Sequence, residues 1–124
     1  AVCVHSAVNA NGFIAHIPML DFAVDSDPRM TPVLQEMLQS NKLIPESKLI
    51  DSGFSYHLIG TQNLLTAQQF RTWLSELCFS PLQDYLDLKY IQYSLRRKTG
   101  ALRISKGHIG KPFIPTVVGT ITRS

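Results

Sequence analysis

The sequence predicts a single α+β domain over residues 1–124, an antiparallel or mixed sheet with two helices packed on one face. Three observations carry this. The β-prone and amphipathic stretches alternate in the order strand, strand, helix, strand, helix, strand, strand. Each helix has only one apolar stripe to bury, so both fit against one sheet. A chain of 124 residues with 44% hydrophobic and 17% charged content is the size and make-up of one folded unit with its own core.

The elements follow in order. Val2 to His5 and Phe13 to Phe22 are apolar-rich runs around Asn9-Ala10-Asn11-Gly12, which reads as a β-hairpin with an Asn-Gly turn. Asp27 precedes Pro28, and Met30, Val33, Leu34, Met37 and Leu38 keep helical spacing as far as Asn41. Lys48 to Asp51 and Phe54 to Ile59 are short strands joined or bulged at Gly53, with Gly60 closing the second. Thr66 suits a helix N-cap, Phe70, Trp73, Leu74 and Leu77 supply the stripe, and Pro81 marks the end. Tyr90 to Leu95 and Ala101 to Ile104 are predicted strands flanking a basic turn, Arg96 to Gly100. Residues 111–124 fit an edge strand or a tail.

Net charge is only +3, yet its distribution is uneven. Arg96, Arg97, Lys98, Arg103, Lys106, Lys111 and Arg123 lie in the last third, and no Asp or Glu follows Asp87. A basic surface of this kind suits phosphate, nucleotide or nucleic acid. Cys3 and Cys78 stand far apart with no Cys/His cluster, which fits two reduced thiols and a cytoplasmic setting. No apolar run approaches the roughly 20 residues that span a bilayer, so no membrane role is expected. The chain begins with Ala rather than Met, which fits trimming or a part of something longer.

Three places carry candidate chemistry: Asp21 ending an apolar strand, Ser55 and His57 two apart on the next, and Asp87 opening another. Residues two apart on a strand share a face, so Ser55 and His57 would point together and suit a phosphate. Carboxylates at neighbouring strand ends would hold Mg²⁺ or Mn²⁺, which take one or two carboxylates plus substrate phosphates.

These residues carry a resemblance. The block SGFSYHLIG resembles the Ser-x-His motif of the archaeo-eukaryotic primase superfamily, which includes primase-polymerases. LDLKYIQYSLRRKTGALRIS resembles the third motif of that group, and IPMLDF stands where its first acidic motif, D-x-D or D-x-E, belongs. The resemblance implies an RRM-like catalytic core and a nucleotidyltransferase that extends DNA or RNA on a template. It implies Asp21 and Asp87 as metal ligands, with Ser55 and His57 on the triphosphate of the incoming nucleotide. His57 thereby joins Asp21 and Asp87 in the catalytic set. Arg103 and Lys106 would add phosphate contacts, and Arg96, Arg97 and Lys98 would touch a template backbone. A larger replication, repair or defence assembly is the setting the resemblance suggests.

The chain departs from the family at Ala23, where a second acidic residue is expected, with Asp25 and Asp27 as nearby substitutes. The alternative reading is therefore a catalytically degenerate primase-like module that binds nucleotides or nucleic acid. A third reading is an RRM-like or ferredoxin-like structural domain whose motif matches are coincidental; it lacks the aromatic display of RNA-binding RRM sheets, since Tyr90 and Tyr93, three apart on the predicted strand, would fall on opposite faces.

Overall fold

A computed structural model describes residues 3–97, 99–103 and 115–123. In chain order the elements are β1 (Cys3–His5), β2 (Ala7–Ala10), β3 (Phe13–His16), β4 (Met19–Asp21), α1 (Met30–Ser40), β5 (Ser47–Asp51), β6 (Tyr56–Gly60), α2 (Ala67–Leu77), a 3₁₀ turn (Gln83–Tyr85), α3 (Leu88–Arg97), β7 (Ala101–Arg103) and β8 (Thr116–Ile121). The class is α+β, as expected. No helix among the described residues is long and apolar enough to cross a membrane.

The main sheet has four antiparallel strands in the order β4-β6-β5-β8. β4 and β5 both run antiparallel to β6 and are joined through α1, a split β-α-β unit. β8 takes the edge beside β5, so the segment read as edge strand or tail is an edge strand over its described part. Two ribbons stand outside this sheet, β1 with β7 and β2 with β3. The expected Asn-Gly hairpin is present as β2–β3, with Asn11 at φ 53° and Gly12 at φ 87° as a two-residue turn of left-handed residues demands. The preceding strand β1 pairs elsewhere, with β7.

One correction concerns residues 88–97. The predicted strand from Tyr90 to Leu95, and the hairpin built on it, is helix α3, a third helix among the described residues. The cause is local. Asp87 Oδ1 accepts from the backbone N–H groups of Lys89 and Tyr90 at 2.9 and 3.2 Å, an N-cap that satisfies first-turn donors. A strand would bury Ile91 and Tyr93 together. Instead Tyr90 is 7% and Ile91 2% exposed while Tyr93 is 47% exposed, the spacing of a helix stripe. The expectation of one RRM-like sheet with two helices is carried no further than the split unit.

The core fills the space between the sheet and the helices. Leu20, Leu58 and Leu49 stand in one cross-strand row and are fully buried, together with Leu34 and Leu38 of α1 and Phe70, Leu74 and Leu77 of α2. The next row, Asp21, His57 and Ile50, points from the opposite face, because successive residues alternate. Lys48 and Val117 lie on that same face and are exposed. The sheet therefore has one face under helices and one partly open to solvent.

Candidate functional site

Antiparallel register sets Asp21, the last residue of β4, opposite His57, the second residue of β6. Their side chains meet: His57 Nε2 lies 3.3 Å from Asp21 Oδ1, with the imidazole almost wholly buried and the carboxylate one-quarter exposed. The contact is an ion pair when the ring is protonated. A buried ring gripping a partly open carboxylate presents that carboxylate at a fixed place on the open face.

Asp87 is brought to the same place from the far side of the chain. Phe22 and Leu86 form an antiparallel bridge, Ala23 N–H donates to Tyr85 O at 2.8 Å, and Asp87 N–H donates to Asp21 O at 2.9 Å. Residues 85–87 thus run beside the end of β4. The two carboxylate-bearing residues share a backbone hydrogen bond. Asp87 Oδ1 is occupied in capping α3, and among the described residues its Oδ2 and that of Asp21 make no hydrogen bond.

Tyr90 couples the two sides, and sequence reasoning missed it. Its hydroxyl donates to Met19 O at 2.6 Å in the interior, tying α3 to β4 two residues before Asp21. Burial pushes that hydroxyl far above the ordinary phenol range, and the negative charge of Asp21 adds to the effect. It stays a donor at any working pH. No local signal marks this role, since the partner is a backbone carbonyl on another element.

The remaining candidates are placed less centrally. Ser55 lies in the turn before β6 rather than on the strand. Its backbone closes that turn: Ser55 O accepts from Ser52 N–H at 3.0 Å, and Ser55 N–H donates to Ser52 Oγ at 3.2 Å. The reason is that residues 52–55 form a four-residue hairpin connection, with Gly53 at φ 93° as its second residue, so pairing resumes only at Tyr56. Asp51 holds the same turn, accepting from Gly53 N–H at 2.7 Å and from Ser26 Oγ at 2.6 Å. Arg103 ends β7 opposite Cys3. Lys98 and Lys106 lie outside the described residues. Arg96 and Arg97 are exposed at the end of α3.

Neither nearby acid takes the place of a carboxylate at Ala23. Asp25 is exposed on the following loop. Asp27 binds Arg29, whose guanidinium lies 3.1 Å away and, with its own backbone N–H, holds the Asp27 carboxyl below the usual carboxylate range. Among the described residues no group of three or more His, Cys, Asp or Glu side chains is set to hold a metal. The donor set that remains, one free oxygen each from Asp21 and Asp87, suits an ion that fills its other positions with water and phosphate, as Mg²⁺ and Mn²⁺ do. A groove of about 580 Å³ lies elsewhere, between α1 and the Pro81–Leu82 segment, and none of its lining residues belongs to this face.

Comparison with known proteins bears on these residues together. A family model described as AEP-like, archaeo-eukaryotic primase 1D-like, matches residues 1–116. No curated protein and no solved structure matches the chain.

Proposed function

Because the chain belongs to the archaeo-eukaryotic primase 1D-like family and is a primase-like domain, we propose that it binds a nucleoside triphosphate on the Asp21–His57 face and transfers the nucleotidyl group to a DNA or RNA end. The supporting observation is that three separate motifs meet: Asp21 faces His57 across β4 and β6, and Asp87 hydrogen-bonds the Asp21 carbonyl. Asp21 and Asp87 would hold Mg²⁺ or Mn²⁺. Such an ion supplies charge neutralisation of the triphosphate and a more acidic attacking hydroxyl. His57 offers Nε2 to a phosphate oxygen as it exchanges Asp21 for the ligand. Ser55, in the turn just before, adds a second contact, and Arg103 and Lys106 add charge-assisted ones. Arg96, Arg97 and Lys98 are suited to a template backbone.

Primer extension tests this. Purified protein with labelled nucleotides, Mn²⁺ and a primed template should yield product, and Asp87→Ala should lower the rate by at least a hundredfold. Product formation that is the same in Asp87→Ala and the parent, or no product on any template, overturns the catalytic reading.

A second reading, a module that binds nucleotides without turning them over, is favoured by Ala23, by the commitment of Asp27 to Arg29, and by the capping role of Asp87 Oδ1. Titration calorimetry separates the two. Metal-independent nucleotide binding that His57→Ala abolishes, with no extension product, supports the module.

A further inference from the structure

The groove of about 580 Å³ beside α1 takes no part in the Asp21–His57 face. Its volume falls among those of small-molecule sites, about 300–1,000 Å³. Val33, Met37 and Ser40 stand at i, i+4 and i+7, so a single helix stripe makes one wall. Pro81 and Leu82 make the other. Leu82 is 1% exposed, and Leu34 and Leu38 hold α1 in the core, so both walls are fixed in the folded protein. Met37, unbranched, is the part that adapts.

The end of α1 supplies the polar groups. Asn41 is held at every polar atom but one. Its N–H donates to Leu38 O at 3.2 Å, its carbonyl accepts from Ile44 N–H at 3.1 Å and from Arg123 Nη2 at 2.8 Å, and its Oδ1 accepts from Leu43 N–H at 3.0 Å. The last bond fixes which way round the side-chain amide lies, because only its oxygen can accept. Nδ2 is thereby left buried, with no acceptor among the described residues, on a residue that lines the groove. Buried donors are almost always paired, so this one calls for an acceptor from outside the chain. Lys42 also lines the groove and has no ion-pair partner among the described residues. A helix C-terminus ordinarily repels an anion. Here Arg123 covers it, its guanidinium donating to Gln39 O and Leu38 O at 2.7 and 3.0 Å as well as to Asn41 O.

We propose that this groove binds a small molecule with an apolar body and one carboxylate, the body between Met37 and Leu82 and the carboxylate accepting from Asn41 Nδ2 beside Lys42. Glu36, the single acid in the lining, stands about 6 Å back along the helix from Ser40. One cation and one acid leave the lining without net charge, which suits a monoanion and disfavours a triphosphate, so this is not a second nucleotide site. A protein partner would lie across the exposed rim at Val33, whereas the unpaired donor is buried. The proposal draws on nothing in the nucleotide reading, and its test needs neither nucleotide nor metal.

The test is two-dimensional NMR of the full chain titrated with phenylbutyrate and, separately, with phenylbutanol, which has the same body and no charge. Phenylbutyrate should cause saturable shifts at Val33, Met37 and Leu82 and move the Asn41 side-chain amide signals. Phenylbutanol should bind about fivefold more weakly, since a neutral acceptor bonds less strongly than a charged one. Asn41→Asp keeps the acceptor for Leu43 N–H and replaces the donor with a carboxylate oxygen, so phenylbutyrate should lose about tenfold or more in affinity and phenylbutanol less. Lys42→Ala, at an exposed position that leaves folding intact, should weaken phenylbutyrate about 2- to 5-fold and leave phenylbutanol unchanged. The proposal fails if phenylbutyrate causes no saturable shift, if the shifts fall outside the groove, or if the two probes bind equally. It fails too if Lys42→Ala affects both probes alike, or if Asn41→Asp, melting as the parent does, binds phenylbutyrate within twofold of it. Groove signals that move with protein concentration alone would mark a second copy seated there and also overturn it.

Discussion

A single phenol ties the two halves of the candidate site. Tyr90→Phe keeps the ring and removes its bond to Met19 O, leaving a buried carbonyl without its donor. Such a loss costs about 1–3 kcal/mol, and urea denaturation should show it as a lower midpoint at constant slope. His16 offers a pH-dependent counterpart. It is 2% exposed, stacks on Phe70 with centroids 5.1 Å apart, and meets Ser6 Oγ through Nδ1 at 3.0 Å. Burial lowers its pKa from the ordinary 6.5, so the unfolded state binds the proton more readily than the native one. The contribution of His16 to stability is therefore complete above pH 6.5 and is lost as pH falls below it. Thermal melts from pH 7.5 to 5 should fall less steeply for His16→Gln than for the parent; equal slopes would show that His16 is not the group responsible. Asp21, His57 and Asp87 were legible as candidates because their neighbours match known motifs. The contact between Asp21 and His57 was not, since strand register is set by pairing across the sheet and no local pattern records it.

At the scale of elements, what the sequence disclosed depends on whether a segment carries its own start and stop signals. α2 does: Thr66 Oγ1 accepts from Gln69 N–H at 3.1 Å and Gln69 Oε1 accepts from Thr66 N–H at 2.9 Å, a complete capping box. Thr66→Ala should cost about 1 kcal/mol, read as a shift in the denaturation midpoint. α3 was misread because Tyr90, Ile91 and Tyr93 favour strands, whereas the Asp87 cap and the core contacts of Tyr90 and Ile91 favour a helix and prevail. The β2–β3 turn gives a cleaner measure of backbone preference. A Cβ added at Gly12 meets nothing within 4 Å, so Gly12→Ala tests only the cost of φ 87°. That cost should be about 1–2 kcal/mol. Gly119 is the opposite case. There a Cβ would collide with Gln35 Oε1, and Gln35 Nε2 donates to Thr120 O at 2.6 Å. Gln39 likewise bonds Thr122 O at 2.9 Å, so α1 guards the C-terminal half of the outer edge of β8. Gly119→Ala should displace Gln35 and expose that edge, visible as faster hydrogen exchange along β8.

Across the whole molecule, the order of elements disclosed the α+β class, but not which strand meets which. The sequence order suggested a second hairpin after Tyr90; instead β7 pairs with β1, setting Cys3 opposite Arg103, and β8 pairs with β5, setting Ser47 opposite Ile121. Contacts between residues so distant in sequence require closure of long loops before any pairing energy is returned, which slows folding. The β5–β8 pairing has a further consequence during synthesis. A ribosome adding about 5–20 residues per second takes roughly 3–13 s to travel from the end of β5 to the start of β8. Through that interval β5 can pair only with β6, and its other margin stays open to any extended chain nearby. That margin of β5 is thus the one a chaperone would have to shield until β8 is made.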